Sequence, residues 1–318
     1  MVQELPCFFV LSGFLITKIL LNFKERNIAE GKGHLNSIKS FYIRRSLRIF
    51  PIYYLTIFFL LIIGFQNTKE LFPWLATYTT NIYMTLNNDY IGSFTHFWSL
   101  AVEEQFYILW VPVVIFIPRK HLKKSIFLII IISLIILYYF IFFTKYWLAN
   151  SLVICSMHTL GMGALIAYFL KYKEESFMKV NLSRMKITLL LSLVVYFIIY
   201  VYRPAHLYPH LKDFENPLLT LVYSMVIFIA VRNGFKGLMK KIIESKVMVY
   251  IGRISYGLYV YHLFVVTLYF GFFDGYDVVK TNIYGHFIIQ LIITLAIASL
   301  SWFLIEKPVN GLKKHFNY

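Results

Sequence analysis

Nine apolar runs separated by short basic segments constrain this chain more than any other feature. They lie at about 5–21, 49–66, 97–117, 125–144, 149–170, 186–202, 216–231, 248–272 and 285–305. Each is long enough, or nearly so, to cross a hydrocarbon core of roughly 30 Å as a helix. Several contain Gly or Pro, which membrane helices tolerate. The expected fold is therefore all-α: a polytopic membrane helical bundle of about nine transmembrane helices.

Composition enters where charge must be explained. Only 14% of residues are charged, against 59% hydrophobic, and mean hydropathy is +0.67. Soluble domains carry about 25% charged residues. A net charge of +16 would suit nucleic acid if it formed one face or arm. Here the basic residues form short clusters between apolar runs, so no nucleic-acid partner is expected. All but five of the 31 Lys and Arg fall in 18–48, 119–124, 171–186, 232–253 and 307–318; the alternate connections hold Lys69, Lys145, Arg203, Lys212 and Lys280. By the positive-inside rule the first set is cytoplasmic, which gives a multi-pass cell-membrane protein with its C-terminus inside.

Nine spans then put the N-terminus outside, although Met1–Leu5 carry no signal peptide. Both ends inside is the commoner arrangement, so a helix is expected to be missing at the start. With no internal repeat and no soluble-domain composition, residues 1–318 read as a single membrane domain, N-terminally incomplete. The segment 67–96, with Pro73, Trp74 and aromatics through Tyr83, reads as an interfacial or re-entrant element. Gly31, Gly33 and Asn36 mark a polar loop within 22–48. Cys7 and Cys155 sit in apolar spans without metal or redox spacing, and read as buried small hydrophobes. No metal site is expected.

The chemistry begins at residues 95–112, where Glu103 and Glu104 interrupt a lipid-length run. An acid at the membrane centre costs about 2.5–3.5 kcal/mol on insertion scales, so intramembrane carboxylates mark sites by default. On a helix, His96 and Glu103 share a face and Glu104 is rotated about 100° away. Glu103 then lies roughly 10 Å below the outer boundary. Trp98, Ser99 and Gln105 add polar edges. One carboxylate can bind acceptor hydroxyls or tune a base while the other pairs with a basic residue; a structural network that orients helices is the alternative.

Three further stretches bear on function. In Phe41–Pro51, Arg44 and Arg48 are four apart, with Arg45 between them. Arginine forks bind phosphate bidentately, as a coenzyme A phosphate would require, and topogenic charge beside lipid headgroups explains the patch equally well. Ser12 and Gly13 form a small pair that admits close backbone approach by a helix or a ligand. His262 falls near mid-membrane in Ile251–His262, where it lines a cavity or bonds a backbone carbonyl; His158 is similar.

The ordered set Phe8–Thr17, Arg44–Pro51, His96–Pro112, Ser255–His262 and Ile305–Pro308 resembles the membrane-bound acyltransferase 3 family across nearly the whole chain. That resemblance implies a ten-helix protein taking an acyl group, usually acetyl, from cytosolic acyl-CoA to a hydroxyl of an extracytoplasmic or membrane-linked glycan. It implies no permanently bound cofactor, with acyl-CoA as donor substrate. It places Arg44, Arg45 and Arg48 on the CoA side, and Ser12, Gly13, Glu103 and Glu104 along the transfer path. The family's first helix carries an arginine and, eleven positions on, a histidine base; the resemblance does not extend to that pair here, and Val2–Cys7 departs from the glycine-rich sequence that normally leads into the Phe8–Thr17 helix. His96 and His262 are the imidazoles available as substitutes. Glu103, Glu104 and His96 are thus the candidate catalytic residues. Candidate substrate-binding residues are Ser12, Gly13, Arg44, Arg45, Arg48, Trp98, Ser99 and His262. A transporter or flippase for a lipid-linked sugar or small anion fits the same acids and basic mouths. So does an inactive truncated homologue.

Overall fold

The computed structural model describes residues 6–145, 148–202, 214–273 and 283–316. Arg203, Lys212 and Lys280 of the basic-residue count lie outside them, as do residues 1–5. No strand occurs among the described residues. The helices are α1 (Pro6–Ala29), α2 (Leu35–Ile62), α3 (Thr68–Ala76), α4 (Thr80–Asn87), α5 (Phe97–Phe116), α6 (Arg119–Phe143), α7 (Val153–Tyr172), α8 (Glu174–Lys179), α9 (Leu182–Tyr202), α10 (Glu215–Asn233), α11 (Gly237–Ile243), α12 (Lys246–Phe273), α13 (Ile283–Ser301) and α14 (Lys307–Gly311). Nine of these, among the described residues, are long and apolar enough to cross a membrane. They coincide with the nine apolar runs.

Two details differ from the sequence reading. α2 starts at Leu35, so Asn36 and the arginines lie within a helix and the polar loop shrinks to Glu30–His34. No Gly or Pro interrupts 35–50, which lets the helix extend beyond its apolar part. The turn is fixed by Gly31 at φ +65°, with the Lys32 N–H bonded to the Asn27 carbonyl at 2.8 Å; this six-to-one closure needs a left-handed residue. The second difference is Cys7, which is exposed rather than buried. The outer surface of a membrane bundle is apolar, so an apolar residue there need not be interior.

The contacts form two compact units. The first comprises residues up to His34, Asn81–Asp89 and Trp98–Phe235. In it α7 packs between α1 and α6, and α10 meets α1, α7 and α9. The α1–α7 contact is unusually close. A Cβ on Gly13 would stand 1.9 Å from the Leu160 carbonyl oxygen, and one on Gly163 equally close to that of Val10. Two hydrogens facing backbone let the helices touch, as small-residue seams do in lipid. By contrast Leu190, Leu191, Val194 and Phe197 of α9 are exposed, a lipid-facing apolar surface that water would not tolerate.

The second unit comprises Leu35–Thr80, Tyr90–Phe97 and Lys236–Tyr318. Here α12 packs on α13 and α2, and α14 returns to α2. The interfacial segment folds as α3 and α4, and in this unit α3 is tied to α2 by Tyr53 Oη donating to the Leu75 carbonyl at 2.8 Å. Between α13 and α14 the backbone widens into one π-turn, Trp302–Glu306, a distortion often found at functional positions.

Candidate functional site

Glu103 is the centre of the first unit's polar interior. Its carboxylate is 5% exposed. Tyr107, one turn on along α5, donates its hydroxyl to Oε1 at 3.0 Å, and Ser12 of α1 donates its own to the same oxygen. Two more contacts join these helices. Trp110 Nε1 donates to Thr17 Oγ1 at 2.8 Å, and the Lys24 ammonium donates to the Val114 carbonyl at 2.9 Å and to that of Ile117. The partners rise together along both chains, so α1 and α5 run parallel. The charge distribution requires the same of the first and third spans.

The neighbours of Glu103 diverge around the helix. Glu104, rotated about 100°, is half-buried. Gln105 forms a reciprocal amide pair with Asn81, at 2.9 and 3.1 Å. Ser99 and Trp98 are buried, and the Trp98 ring meets Phe9 edge-on at 5.8 Å. Trp98, Phe9, Asn150, Ser156, Thr159 and Asn216 line a narrow crevice at the start of α1, α5, α7 and α10.

His96 falls in the turn before α5, not on the helix, so its seven-residue spacing to Glu103 is not a helical face. In the second unit its ring meets that of His262 edge-on, with centroids 4.9 Å apart. His96 Nε2 meets the Val260 carbonyl at 3.2 Å, and His262 Nδ1 meets that of Tyr259 at 2.7 Å. The backbone-carbonyl reading of His262 therefore describes what is seen. That the two candidate imidazoles adjoin was not visible in the sequence.

The arginines also belong to the second unit. Arg44 Nη1 donates to the carbonyls of Lys313 and Phe316 at 3.1 and 3.2 Å, Arg45 lies 5.6 Å from the Phe41 ring, and Arg48 is exposed. All three act electrostatically on the Lys313 ammonium, and Arg48 acts on Glu306, which is 4% exposed in the π-turn. A basic cluster of four groups results, with one buried acid beside it.

Sequence reasoning missed Tyr107, Lys24, Lys313 and Glu306. The i, i+4 spacing from Glu103 could have found Tyr107. Glu306 is a second acid at the end of an apolar run, and was visible on the same ground as Glu103. Lys24 and Lys313 stood among topogenic charges that nothing local distinguished. No cluster of three or more His, Cys, Asp or Glu suited to a metal occurs among the described residues.

Comparison with known proteins bears on this geometry. The family described as acyltransferase domain matches residues 5–306. The peptidoglycan O-acetyltransferase OatA of Listeria monocytogenes is 28% identical over 97% of this chain and 51% of its own length. The O-acetyltransferase OatA of Staphylococcus aureus is 26% identical, with 97% and 52% covered. The putative peptidoglycan O-acetyltransferase YrhL of Bacillus subtilis is 27% identical, with 95% and 49% covered. The chain thus spans about half the length of the curated relatives it matches. No solved structure matches it.

Proposed function

The chain belongs to the acyltransferase 3 family, and from that membership and the buried Ser12–Glu103 pair we propose that it moves an acyl group, acetyl, from acyl-CoA to a hydroxyl of a cell-wall glycan. The named relatives act as peptidoglycan or other O-acetyltransferases. The acceptor oxygen bonds to the thioester carbonyl carbon, the carbon–sulfur bond breaks, and the hydroxyl proton passes to the departing sulfur to leave an ester and free CoA thiol. The donor enters from the cytosolic side, where Arg45, Arg48 and Lys313 receive its phosphates and Arg44 anchors their frame. The acceptor enters from outside, and the C-terminus is cytoplasmic.

The observation that carries this reading is Glu103. A carboxylate in lipid-length apolar helix is unfavourable, yet this one is held in place by two hydroxyl donors from two directions. Such a group is suited to accept a hydrogen bond from an incoming hydroxyl and orient it, which is a positioning role. The test is reconstitution of the full chain in vesicles with acetyl-CoA inside and peptidoglycan strands outside. Release of CoA thiol coupled to ester formation supports acyl transfer, and Glu103→Gln should reduce both together. Movement of a lipid-linked sugar without consumption of acetyl-CoA would replace this reading with the transporter.

A further inference from the structure

The second unit holds a larger, apolar cavity of about 360 Å³ between α2, α12 and α13. Leu60, Phe264 and Val265 form its buried wall, and Leu55, Phe59, Leu268 and Ile297 its exposed rim. Thr56 and Tyr261 also line it, and no Lys, Arg, Asp or Glu does so among the described residues. The Tyr261 hydroxyl is already bonded, to Ser301 Oγ at 3.0 Å and to Thr56. An apolar cavity of roughly 150 Å³ is enough to hold a benzene ring. The two carbons of an acetyl group would leave most of this one empty. Below the cavity stands Glu306, 4% exposed, whose Oε1 has no hydrogen-bond partner among the described residues. A buried acceptor of that kind is unfavourable unless a donor reaches it.

We infer that this cavity receives the acyl chain of the donor, with the pantetheine arm running along α2 from Arg48 and one of its amide N–H groups donating to Glu306 Oε1. Resting on the acyl-transfer reading above, this widens the donor class to medium-length linear acyl-CoA thioesters, of which acetyl-CoA is the shortest. Position supports the assignment. Leu55 and Phe59 each lie within about 20° of Arg48 around α2, roughly 10–17 Å beyond it at 1.5 Å per residue. Arg48 acts electrostatically on Glu306, and Glu306 on Tyr261 at the cavity, so the three follow one path. A bilayer lipid also offers a phosphate and a chain. Its methylenes, however, would have to pass Glu306, Ser301 and Thr56, a polar stretch that suits the amides of pantetheine. On the opposite wall the Phe264 ring meets that of His96, with centroids 5.4 Å apart, so the imidazole pair adjoins the chain. A charged acyl group such as succinyl is excluded, because nothing in the lining would pair with its carboxylate.

Equilibrium binding of acetyl-CoA and octanoyl-CoA to the full chain in nanodiscs, corrected for uptake by empty nanodiscs, tests this. Each buried methylene is worth about fourfold in affinity, so octanoyl-CoA should bind at least about thirtyfold tighter than acetyl-CoA. Val265→Trp fills the cavity and should collapse that ratio towards one. Ile297→Trp at the rim should do the same, and it decides the matter if Val265→Trp lowers the thermal midpoint. Leu190→Trp, on the lipid-facing surface of α9, should keep the wild-type ratio. Equal affinities for the two thioesters in the wild-type protein would overturn the inference and leave acyl transfer standing. A ratio that survives both cavity tryptophans would put the chain in the bilayer, and would overturn it too. The expected ratio without release of CoA thiol to peptidoglycan strands would instead uphold the cavity and remove the acyl-transfer reading.

Discussion

Ser12 and Glu103 lie 91 positions apart, yet the Ser12 hydroxyl donates to the Glu103 carboxylate between parallel helices α1 and α5. The bond places a small polar residue of one apolar span directly against the buried acid of another. Each makes the other tolerable in lipid.

That pairing sets the first prediction. A hydrogen bond to a charged group contributes about 1.5–3 kcal/mol, and 1.4 kcal/mol is about tenfold in rate. Ser12→Ala should therefore slow acyl transfer about tenfold, measured as CoA thiol released in vesicles. Glu103→Gln should slow it further, because its amide oxygen still accepts from both hydroxyls but the charge that would orient an incoming hydroxyl is lost. Tyr107→Phe should match Ser12→Ala. Equal rates in all three variants and wild type would remove Glu103 from the reaction.

The α1–α7 seam gives the second. Gly13→Ala drives a methyl to 1.9 Å from the Leu160 carbonyl oxygen, and Gly163→Ala does the same against Val10. Neither obstacle is a flexible side chain, so the helices must separate. Overpacking of this kind costs about 1–3 kcal/mol. Each variant should lower the thermal midpoint in detergent, while Gly33→Ala, with nothing within 4 Å of its new methyl, should leave it unchanged.

These two contacts show what the sequence disclosed and what it did not. Ser12 and Gly13 were legible as a close-approach pair because small residues stand out in an apolar run. Their partner was not, since Leu160 offers a backbone oxygen and backbone carries no sequence signal. The nine spans were legible because lipid imposes length and hydropathy on each segment separately. The extension of α2 back to Leu35 was missed because hydropathy falls where the helix leaves the bilayer, although helix propensity does not. His96 and His262 were each singled out, but their juxtaposition depends on how α12 packs. Lys313 was hidden for the same reason.

The third prediction concerns Lys24, a buried lysine 5% exposed. Pro118 follows α5, so the helix cannot continue and its last carbonyls need outside donors. The Lys24 ammonium supplies them at Val114 and Ile117, with the favourable charge for a helix C-terminus. Lys24→Met keeps the stem's bulk and removes the donor. It should destabilise the folded protein by about 1.5–3 kcal/mol, read as a lower thermal midpoint. An unchanged midpoint would mean that water reaches these carbonyls.

The arginine cluster yields the last prediction, because its members do different work. Arg44 spends Nη1 on the carbonyls of Lys313 and Phe316, fixing the segment after α14 against α2. Arg48 is exposed and faces the same cluster. Loss of Arg44 should therefore be felt as structure and loss of Arg48 as binding. Arg44→Ala should lower the thermal midpoint and hasten proteolysis within 312–318. Arg48→Ala should shift stability by no more than about 0.5 kcal/mol, as exposed substitutions do, but raise the acetyl-CoA KM about tenfold at low salt. Because screening shortens to about 8 Å at 0.15 M ionic strength, the gap between Arg48→Ala and wild type should narrow as salt is added. The Arg44→Ala stability loss should persist, since it reflects hydrogen bonds to carbonyls rather than attraction between exposed charges. Should Arg48→Ala leave the KM unchanged at every salt concentration, the cluster serves topology and the donor's phosphates bind elsewhere.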